Sequence, residues 1–315
     1  MLSIIEIVLP VFLVVGAGYI ALKREILPEP TGDILMKFTQ TFAIPCLLFL
    51  ALYRLDFTAF FDLKLIISFY TGALTCFALG VLVARKVFKR RPGESIAIGF
   101  GALFSNSVLL GLPITERAYG VDALGPTYLL IALHTPICFL VGITAMEISR
   151  ADGRSAGETA RVTLVAMFKN TVTLACFAGV VLNLGGVPMP SALVDAMDML
   201  ARAGLPAALF ALGAVLSQYR FRAALGEASA ITAISLIIHP AIVYLLAVET
   251  FALSDEFVRS AVLMAAMAPG VNAYVFASMY DRAKGEAATT VVLSTTVSIL
   301  TTTGWLLILG GASIG

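Results

Sequence analysis

Apolar runs of about twenty residues, joined by short polar connections, recur along all 315 residues of this chain. A helical run of that length spans the hydrocarbon core of a bilayer. In lipid each backbone N–H and C=O must be satisfied internally, so such runs fold as helices unless other helices shelter them. The runs fall at 3–22, 33–53, 63–84, 95–118 and 122–148, and again at 163–184, 191–217, 228–250, 257–280 and 286–310. Hydrophobic residues are 59% of the chain and charged residues 13%, against about 45–50% and about 25% in soluble domains. The pattern predicts an all-α polytopic membrane protein of ten spans, with no room for a separate soluble domain. No basic stretch precedes the first run and no small-residue cleavage site follows it, so it reads as a retained span.

Two of the runs are interrupted. Ala102–Pro113 (ALFSNSVLLGLP) and Met264–Tyr280 (MAAMAPGVNAYVFASMY) each carry Asn, Gly and Pro where lipid demands an unbroken hydrogen-bond ladder. Pro113 and Pro269 remove donors, and Gly111 and Gly270 allow close backbone approach. Asn106, Asn272, Ser105 and Ser107 add polar groups at the breaks. A matched pair of interrupted spans marks a transporter's substrate site, and half-helix N-termini there attract anions. The plainer reading is a Pro kink packed against its neighbours, with Asn bonding between helices.

The two sets of five runs read as repeats. Ala43-Ile44-Pro45 in the second span is answered by Gly204-Leu205-Pro206 in the seventh, and Tyr119-Gly120 after the fourth by Tyr280-Asp281 after the ninth. The domains are thus 1–148 and 162–315, joined by a polar linker at 149–161. Alternate connections hold 16 and 5 of the 21 basic residues. The richer side is cytoplasmic, which puts the linker inside and both termini outside. An odd number of spans per half makes the repeat inverted, with the broken fourth and ninth spans crossing at mid-membrane.

Other polar residues read more plainly. Cys46, Cys76, Cys138 and Cys176 lie in apolar runs without CxxC spacing, and are read as buried hydrophobes with no disulfide or metal. Glu6 is interfacial, and Asp198 is expected to pair with Arg202 one turn along the seventh span. His134 and His239 stand just before Pro136 and Pro240. They are read as groups that bond neighbouring helices, with a proton relay as the alternative. The hydroxyls of the tenth span, Thr289 to Thr303, are read as helix packing, with a cavity lining as the alternative.

The segments SNSVLLGLPITERAYG, APGVNAYVFASMY, FAIPCLLF and GLPAALFALG resemble the auxin efflux carrier family, which includes plant PIN auxin exporters and bacterial malate and malonate carriers. The likeness covers essentially the whole chain. It implies an inverted five-plus-five repeat with crossing broken helices, and a scaffold and a transport domain that move against each other. Asn106-Ser107 occupies the place of the plant Asn-Thr element, with Ser105 where that motif has Pro. The absence of a long central loop points to a prokaryotic member in a bacterial inner membrane.

The function expected is secondary active transport of a small organic anion, a carboxylate such as malate, malonate or an auxin-like acid. Ser105, Asn106, Ser107, Gly111, Pro113, Pro269, Gly270 and Asn272 are the expected binding residues. No cofactor, metal or nucleic acid is expected. The partners are the substrate, the bilayer, a coupling ion (proton or sodium, left open) and a second copy in a homodimer. A passive pore is the first alternative. An intramembrane enzyme is the second, though no HExxH supports it, and the GxxxxGK[ST] phosphate loop of ATP-driven pumps is absent.

Overall fold

The computed structural model describes residues 4–150, 157, 161, 165, 170–219 and 224–310. All regular structure among them is helical. Seven helices are long and apolar enough to cross a membrane: Ile4–Lys23, Thr31–Tyr53, Leu63–Lys86, Val121–Ser149, Ser191–Gln218, Leu225–Thr250 and Lys284–Ile308. A shorter apolar helix runs over Thr171–Leu184. Most of the linker expected at 149–161 lies outside the described residues.

Numbered in chain order, α1 is Ile4–Lys23, α2 Thr31–Phe38, α3 Ile44–Tyr53, α4 Phe57–Phe60, α5 Leu63–Lys86, α6 Pro92–Leu103, α7 Leu112–Tyr119 and α8 Gly125–Arg150. After the linker come α9 Thr171–Leu184, α10 Ser191–Gln218, α11 Leu225–Ala233, α12 His239–Leu245, α13 Asp255–Ala265, α14 Val271–Met279 and α15 Lys284–Ile308.

Three prolines shape the long segments in the same way. Pro45, Pro113 and Pro240 each stand two residues past a π-helical turn, at Thr39–Ala43, Ser107–Gly111 and Ile234–Ile238. A proline ring clashes with the carbonyl four residues earlier and leaves it without a donor. The wider π turn relieves that clash without ending the helix. The carbonyl that Pro240 orphans is that of Leu236, and it accepts a 3.0 Å hydrogen bond from the Trp305 indole N–H. Pro10, Pro136 and Pro206 lie inside α1, α8 and α10 without such a turn.

Helix packing divides the chain into two bodies. In the first, α1 packs along α10, and α9 along α3, with α10 closing against α2 and α3. The α1–α10 approach is set by Gly18 and Gly213: a Cβ at Gly213 would overlap the Val15 carbonyl oxygen, and one at Gly18 that of Phe210. Across α9 and α3, the Asn183 amide donates to the carbonyls of Leu52, Tyr53 and Leu55 at 2.7–2.9 Å and so covers the C-terminal end of α3. In the second body α5 packs on α6, α6 on α8, α11 on α15 and α12 on α13. The rings of Phe100 on α6 and Phe276 on α14 stack at its centre, 4.0 Å apart and 9° from parallel.

Arg90 pins three elements of the second body together. Its guanidinium meets Glu227 of α11 at 2.6 Å and Glu286 of α15 at 2.8 Å. Glu227 is nearly buried, with a side chain 10% exposed. Arg90→Met is therefore expected to destabilise the protein by about 2 kcal/mol, because it strands a buried carboxylate; partial exposure keeps the loss below that of a fully buried pair. Thermal unfolding of the purified variant checks this, and an unchanged midpoint would show that the cluster contributes nothing. Adding Glu227→Gln should recover part of the loss.

Two expectations need correcting. Asp198 pairs with Arg54 from the end of α3 through two bonds of 2.9 and 3.3 Å, not with Arg202 on its own helix. The guanidinium fork meets both carboxylate oxygens across the helix pair, a geometry that a neighbour one turn away does not match. The fourth span opens earlier than Gly111-Leu112-Pro113, at Phe104–Asn106, and Gly111-Leu112-Pro113 is helical. The π turn absorbs Pro113, whereas the Ser and Asn side chains compete for backbone groups and end α6.

Most tenth-span hydroxyls bond carbonyls three or four residues back, as Thr289 does to Gly285 and Thr290 to Glu286, both at 2.8 Å. Cys76, Cys138 and Cys176 are buried and Cys46 half-buried, and all four are free thiols.

Candidate functional site

The two interrupted spans meet at their breaks. Ser105 and Pro269 face each other in an isolated antiparallel bridge. The Asn106 N–H donates to the Ala268 carbonyl at 2.8 Å, and the Gly270 N–H to the Phe104 carbonyl at 3.3 Å. The flanking residues supply both bonds, so the N–H that Pro269 lacks is not needed. Proline is tolerated in a ladder only at such a position. The bridge satisfies backbone that would otherwise be orphaned at membrane depth. Gly270 permits the approach: a Cβ there would press on Asn106 Cβ at 3.3 Å.

Each break is followed by a helix start. Asn106 caps the Ser107–Gly111 turn, its Oδ1 accepting from the Leu109 N–H at 3.3 Å, and Gly270 precedes α14. That cap orients the amide, and leaves its Nδ2 buried without a hydrogen-bond partner among the described residues. An unpaired buried amide costs about 1–3 kcal/mol, so its two free N–H groups await an acceptor. Unpaired N–H groups of a helix's first turn add a partial positive charge.

A narrow cleft of about 40 Å³ opens here between the two bodies. Ser105, Asn106, Ser107, Gly270 and Asn272 line it, as do Gln40, Thr135 and Asn170. Of the other residues expected at the site, Pro269 holds the bridge behind the cleft. Gly111 and Pro113 do not reach it. A Cβ at Gly111 would strike Met264 Cε at 2.6 Å, so that glycine serves packing, and Pro113 lines a separate cavity.

His134 also lines the cleft, and it bonds across the break as well as to Cys138 one turn along its own helix. Its Nε2 lies 3.4 Å from Ser105 Oγ, which lies 3.1 Å from Ser107 Oγ. His239 is fully buried but off the cleft. Neither of its ring nitrogens has a hydrogen-bond partner among the described residues. Sequence reasoning missed Gln40, Thr135 and Asn170. The signal for Gln40 is Pro45, whose π turn contains it; Asn170 carries one as the N-cap of α9, accepting from Val172 and Thr173 at 3.0 and 3.1 Å.

A wider cavity of about 870 Å³ lies farther along the same interface, toward the start of α1. Leu47 lines it and Ile44, one turn earlier on α3, lines the cleft. Glu116, Arg117, Asp198 and Arg202 give it a mixed-charge wall. Arg117 is tied down by donating to the Glu6 and Ile7 carbonyls, both at 3.0 Å. Beside this cavity, Asp56 caps α4, and the Thr58 hydroxyl followed by the backbone N–H groups of Thr58 and Ala59 holds its carboxyl below the usual range.

A family described as "Membrane transport protein" matches residues 3–306. The chain is 28% identical over 320 residues to the "Putative malonate transporter" of Rhizobium meliloti (strain 1021), covering 99% of this chain and 98% of that protein. It is 25% identical over 279 residues to the "Uncharacterized transporter YfdV" of Escherichia coli (strain K12), covering 87% of each. An "Uncharacterized transporter" of Methanothermobacter thermautotrophicus is 27% identical over 310 residues, covering 96% of this chain and 98% of that protein.

Proposed function

Because this chain belongs to the membrane transport protein family, we propose that it is a secondary active carrier of a small organic anion, a carboxylate of the malonate or malate class. The observation that carries the proposal is the Asn106 amide. Its oxygen is used as a helix cap and its nitrogen is buried, free and at a cleft where two helix starts converge. Among the described residues no acidic side chain lines that cleft. Amide and hydroxyl donors with helix N-termini suit a carboxylate. Ser105, Asn106, Ser107, Gly270 and Asn272 would hold it, with Pro269 maintaining the bridge.

The carrier would have ten spans in an inverted repeat, 1–148 and 162–315, joined by a cytoplasmic linker at 149–161. Seven continuous helices, the shorter α9 and the two interrupted segments make up that number. Two packing facts support the symmetry. An antiparallel bridge is the pairing that a two-fold axis through the breaks would produce. The first span packs on the seventh as the sixth packs on the second, which is the same contact after exchanging halves. The first body (α1, α2, α3, α9 and α10) would be the scaffold of a homodimer. The second would move against it and expose the cleft to each side in turn. The 870 Å³ cavity on their shared interface is the entrance on one side.

A saturable malonate exchange flux in proteoliposomes, stimulated by malonate on the far side, is the expected result. A linear current following voltage would instead establish a pore. Thermal stabilisation across a panel of carboxylates would rank the substrates.

The 16-to-5 division of basic residues orients the protein in a bacterial inner membrane with both termini outside. Ser155→Cys in a Cys-free background is expected to resist impermeant thiol reagents in intact cells and to react after the membrane is opened. Labelling from outside would invert the topology.

A further inference from the structure

We propose that His134 is the proton-coupling residue of this carrier: it takes up one proton when a carboxylate enters the cleft beside Asn106 and releases it when the carboxylate leaves. The inference rests on the proposed function and adds the coupling ion to it.

His134 is the one titratable side chain among the described residues lining the cleft. Among the described residues the cleft has no Lys or Arg to offset an anion, and His134 has no carboxylate to offset an imidazolium. Each element packed against it confirms the second point. From α5 come the Phe69 ring and Tyr70, whose hydroxyl already donates to the Leu130 carbonyl at 3.2 Å. The fourth-span break contributes Phe104 and Ser105. On its own helix Cys138 Sγ lies 3.6 Å from Nδ1. From α12, His239 stands beyond the Phe69 ring. From α13, Ser260 bonds Thr127, two turns away along α8. The described residues of the scaffold body that reach the cleft, Gln40, Ile44, Asn170 and Val172, are neutral.

A buried charge without a partner is costly, and a paired one much less so. An anion alone in the cleft, or an imidazolium alone behind it, is such a charge; together they neutralise each other. Each therefore favours the other by the same factor, since linkage between two binding events is reciprocal. The route is short. Nε2 takes the proton from water in the cleft, and its N–H then donates to Ser105 Oγ. The Ser105 O–H turns to Ser107 Oγ or to the carboxylate. The proton returns to water when the anion departs. His239, off the cleft and near enough to repel a second charge, stays out of the exchange, so one proton moves per anion.

The test is binding of malonate to the purified protein between pH 7 and pH 9, with proton uptake read by an indicator dye in weak buffer. The wild type is expected to take up about one proton per malonate bound, and its dissociation constant to rise about tenfold per pH unit. His134→Gln is expected to show a flat pH profile and no proton uptake, whatever its absolute affinity. A merely structural role for the imidazole would change affinity without removing the slope. Malonate bound by the wild type with no proton uptake, or an unchanged slope in the Gln variant, would overturn this inference alone. If the variant fails to fold, the proton count on the wild type decides. Absence of binding or flux with every carboxylate tried on the wild type would overturn the proposed function and this inference together.

Discussion

Asn106→Ala is expected to insert and fold yet lose transport. The substitution removes two things: the cap on Leu109, a 3.3 Å bond at a helix start, and the free Nδ2 donor at the cleft. Losing the cap costs about 0.5–2 kcal/mol, which a protein of this size tolerates. Losing a donor to a charged ligand costs about 1.5–3 kcal/mol of binding, a factor of about ten to a hundred and fifty in affinity. Asn106→Asp separates the two roles. A carboxylate oxygen keeps the cap, but the freed position becomes a negative charge facing the anion. The Asp variant is therefore expected to keep a near-normal unfolding midpoint and, like the Ala variant, to lose transport. Malonate exchange in proteoliposomes, normalised to inserted protein, is the measurement. Wild-type kinetics in either variant would remove Asn106 from the site.

Gly213→Ala is expected to have the largest effect on stability, and Gly18→Ala a comparable one. Each adds a single methyl, but at each position that carbon would overlap a backbone carbonyl oxygen on the facing helix, Val15 or Phe210. A side chain can swing away from a clash, whereas a backbone oxygen inside a helix cannot. The α1–α10 pair would have to separate. Overpacking of this kind costs about 1–3 kcal/mol and occasionally more, and membrane helices depend on close approach because lipid offers no hydrophobic drive between them. Gly16→Ala is the control: it lies on the same helix with nothing within 4 Å of its added carbon. It should be neutral or slightly stabilising. The fluorescence of the single tryptophan, Trp305, follows unfolding in detergent. Equal midpoints for Gly16→Ala and Gly213→Ala would show that α1 and α10 do not need this approach.

Local signals in the sequence were strong where the physics is local. Apolar runs of bilayer length can be read without partners, because lipid forces backbone bonds inside each run. The interruptions at Ser105-Asn106-Ser107 and Pro269-Gly270 were legible because these residues weaken a helix through their own backbone and side-chain chemistry. The exact opening of the fourth span was less so. Pro113 looked like the breaker, but a π turn carries the helix past it, and the chain opens instead at Phe104–Asn106.

The sequence by itself determined that this chain is a bundle of membrane helices with two polar interruptions, and it singled out Asn106 at the first of them. Only the tertiary structure decided what meets those interruptions. The bridge between Ser105 and Pro269 joins residues 164 positions apart. Asp198 chose Arg54 over its own helical neighbour, and Gln40, Asn170 and His134 arrived at the cleft from three different helical segments. Gly111 went to packing against Met264. A helix's period shows which residues share a face of that helix, but not which other helix will lie against it. Lipid is as apolar as the side chains it touches, so helix pairing rests on close fit and a few polar contacts, and these exist only once the helices are assembled.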